Sequence, residues 1–319
     1  MFFVVGEPKS GTGWLAKILD SHPEVLCRVK GVFFGRKLRR EELKMAGARM
    51  PPTSLHNAIL EDEYLKLWME RSGWTKGDNP TKHLDNLTRL AIDYFLTEKL
   101  SKTEKRLVGD KTPFFTLDVL SEMSAIYPEA KVIHIIRDGR DVAVSLMHHF
   151  WKSEERGEPA KLAPEELIKR EAFYREPQRF SSSRAGIFLE ERLRSIAENW
   201  KTRVGRAIED GPTLFRDNYT EVRYEGLLEK PQWETGRLFG FLGADTSERV
   251  VGRCVEAASF KKGSGRERGQ DNYALDHGKY RKGIAGDWEN VFTEQDKAIF
   301  KEIAGDLLIE LGYEEDDNW

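Results

Sequence analysis

Two cysteines, Cys27 and Cys254, among 319 residues provide neither a disulfide framework nor a metal-ligand spacing. Both read as small buried apolar side chains, which fits a reducing compartment. No apolar run is long enough to span a bilayer. A first strand beginning at Phe2 leaves no room ahead of it for a signal peptide, so the cytoplasm is the expected location unless the chain is part of something larger. Neither sign of charge is in excess: 51 Lys and Arg against 54 Asp and Glu give a net charge of −3, which offers no global reason to expect nucleic-acid binding. Any basic site must be local. There is no internal repeat and no low-complexity or Pro/Ser-rich linker, so a single domain over residues 1–319 is expected rather than two.

What is present is a repeated strand-loop-helix pattern. Residues 2–5 (FFVV) and 131–136 (KVIHII) are short branched or aromatic runs of the kind buried in parallel sheets, and residues 106–109 (RLVG) are a weaker third. Each is followed by a turn and a helix signal, which predicts an α/β fold: a P-loop-type open parallel sheet with helices on both faces. Ligands in such sheets bind at the carboxyl ends of the strands. Thr112-Pro113 reads as a helix cap followed by proline at the first helical position. Thr293 and Asp296 resemble a capping box, opening a helix with Ile299, Ile303, Leu307 and Leu311 on one stripe that stops at Gly312. Residues 40–105 and 152–208 are charged and helical in pattern, and read as insertions beside the sheet. Residues 261–283 are rich in Gly and basic residues and read as a mobile basic loop.

Three segments carry chemistry. In GEPKSGTG, Gly6 and Gly11 have the spacing of the two Walker A glycines, and WLAKIL would set a helix N-terminus against an anion. The two positions after Gly11 hold Thr12 and Gly13 instead of Lys and Ser/Thr, so the hydroxyl that would ligate Mg²⁺ is missing. A lysine stands inside the loop instead, at Lys9. ATP chemistry uses a metal to neutralise a polyphosphate, whereas a sulfuryl group carries less charge and is within reach of one lysine, a helix dipole and backbone donors. In IHIIRDGRDVAVSLMHHF, Arg137 ends a strand and Ser145 lies eight residues on, about two helical turns in if the helix starts near Gly139. A guanidinium and a hydroxyl there could share one phosphate, although Arg137 could equally pair with Asp138 or Asp141. In KYRKGIAGDWENVFT, Arg281-Lys282-Gly283 offers two cations and an unobstructed backbone; alone it would be a solvated charge cluster.

Together these segments resemble the sulfotransferases that use 3′-phosphoadenosine 5′-phosphosulfate (PAPS) and release the bisphosphate PAP. PKSGTGW resembles their 5′-phosphosulfate loop, which usually ends TTW, so Gly13 departs from the second threonine. RDGRDVAVS is similar to their 3′-phosphate segment, and RKGIAGDWEN to their C-terminal element. The resemblance runs in order from residue 6 to about 293. It implies that Lys9 contacts the sulfuryl group and that Ser10, Gly11, Thr12, Gly13 and Trp14 cradle the 5′-phosphate. It also implies that Arg137, Ser145, Arg281, Lys282 and Gly283 hold the 3′-phosphate, with Tyr224 near the adenine and Phe260 stacked on it. Core packing is the plain alternative for both rings. No metal is required.

Transfer to a hydroxyl or amine needs a group to take the acceptor's proton. The histidine-bearing KTH-x-P segment of the steroid and phenol branch is replaced here by VGDKTPFF, which looks more like the glycan-modifying branch with an acid before Lys-Ser/Thr-Pro. Asp110 is the candidate base, expected at a strand end; its alternative is a carboxylate held by backbone N–H groups or Lys111. DSHPEVLCRVKGVFFG is similar to a stretch of the tyrosylprotein sulfotransferases, but basic and apolar residues occupy the place of their glutamate. His22 is close enough to the loop to be a lesser candidate. The acceptor is a small hydroxylated metabolite, a carbohydrate or a carrier-bound acyl chain, with Trp68, Trp74, Phe173, Tyr174 and Phe180 available to wall its pocket. Two other functions are compatible with the loop: a P-loop kinase of a small substrate, and a PAPS- or PAP-binding module without catalysis.

Overall fold

The computed structural model describes residues 1–35, 51, 53–155, 162–180, 185–270 and 281–319. Its elements in chain order are β1 (Phe2–Gly6), α1 (Thr12–Asp20), β2 (Val25–Val29), α2 (Leu55–Leu60), α3 (Glu63–Arg71), α4 (Pro80–Leu100), β3 (Leu107–Pro113), α5 (Val119–Ile126), β4 (Lys131–Ile136), α6 (Gly139–Glu155), α7 (Pro164–Arg175), α8 (Pro177–Phe180), α9 (Glu190–Phe215), β5 (Tyr219–Arg223), α10 (Tyr224–Glu229), α11 (Pro231–Leu242), α12 (Glu248–Ala257), α13 (Phe260–Ser264) and α14 (Glu294–Glu310), with a short 3-10 turn at Asp287–Asn290. The strands form one all-parallel sheet in the order β2-β3-β1-β4-β5. β1 is central and buried on both faces, which is why it reads as a continuous apolar run rather than an alternating one.

The two edge strands escape that reading. In β2 the last two residues, Arg28 and Val29, are exposed, and β5 is the polar sequence YTEVR. Strand β3 also differs from expectation. It continues through Pro113, which pairs with Gly6, and the Phe114 N–H then donates to the Gly6 carbonyl at 3.0 Å. Thr112-Pro113 is therefore a strand end and not a helix cap; the next helix, α5, starts at Val119. A proline is tolerated at that last position, where the ladder asks least of it. At α14 the expected box forms: the Thr293 hydroxyl accepts from the Asp296 N–H at 3.1 Å, and the Asp296 carboxylate accepts from the Thr293 N–H at 2.9 Å.

Alternation along the strands sorts the core. Phe2, Val4, Ile133 and Ile135 pack against α1, α11 and α12; Phe3, Val5 and Val132 pack against α4, α5 and the end of α9. A third cluster starts where β4 ends, at Ile136, and gathers α6, α7, α9 and α14 around Trp151 and Trp200. The insertions at 40–105 and 152–208 are helical in α2–α4 and α7–α9, while residues 36–50, 52, 156–161 and 181–184 lie outside the described residues. Of the 261–283 stretch, residues 261–264 close α13 and 271–280 lie outside the described residues. Among the described residues no helix is long and apolar enough to cross a membrane.

The last residue of β1 is held to glycine by its neighbour. A Cβ on Gly6 would lie 2.5 Å from the Ile135 carbonyl oxygen, a backbone atom of the adjacent central strand. Gly6→Ala is expected to destabilise the chain by about 1–3 kcal/mol, typical of overpacking where backbone cannot yield, read as a lower denaturant midpoint with an unchanged slope.

Candidate active site

The loop after β1 turns on two left-handed residues, Lys9 at φ 77° and Gly11 at φ 95°. Glycine is required at the second, because a Cβ there would lie 2.6 Å from the ring of Tyr224. Ser10 closes the loop by donating its N–H to the Glu7 carbonyl at 3.1 Å. Gly11 caps α1 without any side-chain hydrogen bond, and the first turn of α1 holds no acid. The Trp14 N–H donates to the Gly11 carbonyl at 2.9 Å, and the positive end of a helix such as α1 can receive an anion at its opening N–H groups. The Ser10 Oγ is buried and has no hydrogen-bond partner. Thr12 is buried, Trp14 is half-buried, and Gly13 is exposed with nothing within 4 Å of where a Cβ would stand.

Arg137 follows the end of β4 and is buried. One terminal nitrogen donates to the Lys9 carbonyl at 3.2 Å; the other donates to Asp141 at 3.2 Å and to the Ile284 carbonyl at 3.0 Å. Its carbonyl accepts from the Trp200 indole N–H at 3.1 Å, and the guanidinium lies 4.3 Å from the centre of the Tyr224 ring. Its Nε is buried with no hydrogen-bond partner. Asp141, not Asp138, is therefore the acid paired with Arg137; Asp138 pairs with Arg140 at 2.7 Å. Ser145 is half-buried in α6, eight residues after Arg137 as the spacing required.

The C-terminal segment docks on the same place. Asp141 accepts from the Gly286 and Trp288 N–H groups at 2.9 and 3.1 Å. Arg281 and Lys282 both donate to Asp287, which is fully buried, with the Lys282 contact at 2.8 Å. Burial works against that carboxylate, yet the two cations outweigh it and hold Asp287 below the usual range. Gly283, at φ 68°, lies flat on Phe260: a Cβ would reach to 2.4 Å from that ring. Tyr224 and Phe260 are thus both buried rings that cover a glycine of a loop, Gly11 and Gly283 respectively.

Asp110 is not at a strand end. It pairs with Phe3 in β1 and Arg28 in β2, three residues before the end of β3, and is 1% exposed. One carboxylate oxygen accepts from the Gly31 N–H at 3.1 Å and the other from the Thr112 hydroxyl at 3.1 Å. Burial pushes this carboxyl up to about 7, against the pull of those two donors and Lys111. His22 accepts from the Glu24 N–H at 3.0 Å on Nδ1 and meets the Asp245 carbonyl at 3.0 Å through Nε2, so one ring nitrogen holds a local turn and the other ties it to the segment after α11. Phe173 and Phe180 belong to the core around Trp151, as plain packing requires, whereas Trp68 and Trp74 are exposed.

Sequence reasoning passed over several residues here. Glu7 is buried in the loop and pairs with Arg203 of α9 at 3.0 Å; Arg203 also donates to the Phe115 carbonyl at 3.4 Å, fastening the loop to the chain beyond β3. Burial pushes Glu7 up to about 7 despite Arg203. Arg268 stands 5.8 Å from the centre of the Trp14 ring. Glu7 could have been suspected as an acid inside an anion loop; its partner, 196 residues away, could not.

Residues 1–312 match the family described as the sulfotransferase domain. The chain belongs to that family. The nodulation protein NoeE of Sinorhizobium fredii is 24% identical over 320 residues, which cover 98% of this chain and 66% of that protein. Sulfotransferase 1B1 of Canis lupus familiaris is 28% identical over 70% of this chain and 71% of its own length, and the chain covers 54% of mouse sulfotransferase 1A1, to which it is 30% identical. Among solved structures, mouse SULT7A1 complexed with PAP shares 18% identity, covering 96% of this chain and 84% of its own, at a TM-score of 0.49.

Two outcomes follow from this sulfotransferase-family site. Because the Gly13 Cβ position is open, Gly13→Thr is expected to leave the denaturation midpoint unchanged or raised, and to tighten PAP binding several-fold in calorimetry by restoring a hydroxyl. Asp110 and Glu7 both bind protons more tightly folded than unfolded, so the stability each gives is complete below its unfolded value, 3.8 or 4.5, and is lost as pH rises through about 7. Asp110→Asn should therefore match the native chain near pH 4 and exceed it above pH 7. The upper bound is about 4 kcal/mol, the worth of moving a carboxyl from 3.8 to about 7. Urea titrations across that pH range read the difference.

Proposed function

We propose that this chain transfers a sulfuryl group from PAPS to a hydroxyl or amine of a small-molecule or carbohydrate acceptor by in-line displacement. The observation that carries the proposal is Arg137, which joins the Lys9 loop, α6 and the Arg281-Lys282-Gly283 segment at one point. The residues present fit the donor: two buried polar atoms without partners, Ser10 Oγ and Arg137 Nε, lie in the segments that would meet its phosphates, and Gly11 and Gly283 stand where a Cβ would strike Tyr224 and Phe260. PAPS supplies an activated sulfuryl group on a good leaving phosphate. Ser10, Gly11, Thr12, Gly13 and Trp14 would hold the 5′-phosphate at the α1 N-terminus. Arg137, Ser145, Arg281, Lys282 and Gly283 would hold the 3′-phosphate, with Asp287 keeping the two cations oriented. Tyr224 and Phe260 would border the adenine from the glycines they cover.

In the transfer, the acceptor oxygen or nitrogen forms the new bond to sulfur as the bond from sulfur to the bridging phosphate oxygen breaks. Lys9 stabilises the electron pair that stays on that oxygen, and Asp110 takes the acceptor's proton. Positioning by the Lys9 loop and by Arg137, Arg281 and Lys282 provides most of the acceleration. A P-loop kinase is disfavoured by Thr12 and Gly13 at the positions that need Lys and a Mg²⁺-ligating hydroxyl.

The test is transfer of label from PAPS to a panel of phenols, alcohols, amines and glycans. Label transfer to at least one class is expected without ATP, and Lys9→Ala should reduce it by about 10²-fold or more while PAP binding stays within a few-fold. Consumption of Mg-ATP without use of PAPS would revive the kinase. If Asp110→Ala and Lys9→Ala both bind PAP normally but lose sulfuryl transfer, the reading as a binding module without catalysis fails.

A further inference from the structure

Residues 30–32, which follow β2, form a strained turn over Asp110. Lys30 and Val32 have φ of 70° and 50°, and a β-branched residue seldom takes the left-handed region. Gly31 lies between them with its N–H on one Asp110 oxygen. The strain is imposed from downstream. Val32 is buried, Phe33 and Phe34 are in the core, and the Val32 and Phe33 carbonyls accept from the Leu55 and His56 N–H groups at 3.0 Å each. The Gly35 N–H donates to Glu122 at 2.7 Å. Strain that the surroundings over-determine in this way is typical of functional sites, where it sets a geometry in advance. Residue 31 also has no room for a side chain: a Cβ would lie 2.8 Å from the Asp110 carboxyl carbon and 2.8 Å from its Oδ1.

We infer that Gly31 and Thr112 are positioning residues for Asp110, each fixing one carboxylate oxygen, and that the strained 30–32 turn exists to keep the Gly31 N–H in place. This rests on the reading of Asp110 as the base. A carboxylate has about four lone-pair sites, so the Gly31 N–H and Thr112 hydroxyl, with the Lys111 backbone beside them, fix its plane and still leave a site for the acceptor's proton. Both donors favour the charged form, while burial among Phe3, Leu26, Val108 and Phe33 opposes it. The other groups around Asp110 are Lys111 on its own strand, Arg28 opposite it on β2, and the Cys27 thiol, which feels its charge. Without the two donors, burial would carry the carboxyl beyond the range where it can accept a proton at neutral pH.

The direct test is ¹³C NMR titration of the protein labelled in aspartate carboxyls, with the Asp110 signal identified by its loss in Asp110→Asn, alongside the pH profile of transfer to whichever panel acceptor takes label. In Thr112→Val, which keeps shape and loses the hydroxyl, the titration midpoint and the acid limb of kcat/KM should both rise by about one pH unit. Thr112→Ser should restore both. Gly31→Ala should lower kcat by at least about tenfold with KM for PAPS unchanged. PAP affinity should stay native in all three. An Asp110 midpoint and acid limb unmoved in Thr112→Val would overturn the inference and leave the base intact. Native transfer by Asp110→Asn would instead remove the base reading beneath it.

Discussion

The buried guanidinium of Arg137 is the point on which the site depends. Taking that charge out of water costs several kcal/mol, and the cost is met only because Asp141, two backbone carbonyls and the face of Tyr224 surround it. The two carbonyls, of Lys9 and Ile284, come from segments 128 and 147 residues away in sequence. Arg137 bonds a carbonyl on each side, Lys9 and Ile284, so this shared cation ties the Lys9 loop to the Gly283 loop. Asp141 extends the arrangement by accepting from Gly286 and Trp288, which draws the 3-10 turn and its Asp287 against α6. Asp287 then gathers Arg281 and Lys282.

The same economy explains the site's acids. Glu7, Asp110 and Asp141 are all pushed up by burial, so each is less stable as a carboxylate here than in water. A chain selected for stability alone would carry apolar residues at such depth. Together with left-handed Lys9, Lys30 and Val32, these acids mark where the fold accepts local strain for the sake of a fixed geometry.

Much of this was legible in the sequence where local residues dictate local shape. The FFVV and KVIHII runs gave the central strands β1 and β4, and Gly6, Gly11 and the following apolar run gave the β1–loop–α1 unit, because glycine content and apolar runs act over a few residues. β2 and β5 were not legible, since an edge strand such as YTEVR needs only one covered side and can be polar. The Thr112-Pro113 cap misled because its signal is also compatible with a strand that ends at proline, and Asp110 was consequently expected at the rim instead of three residues inside. Arg137 was legible as a cation at a strand end, but its partners were not: nothing local announces the Lys9 and Ile284 carbonyls. The pairing of Glu7 with Arg203 was hidden for the same reason.

The most direct measurement is the ratio of affinities for PAP and adenosine 5′-monophosphate, which differ only by the 3′-phosphate, in the native chain and in Arg137→Lys, by calorimetry. If Arg137 both joins the three segments and reads the 3′-phosphate, the native chain favours PAP by about 10²-fold or more, and the substitution, having lost the forked donors, brings the ratio close to one. A folded Arg137→Lys chain that kept the native ratio would contradict that role.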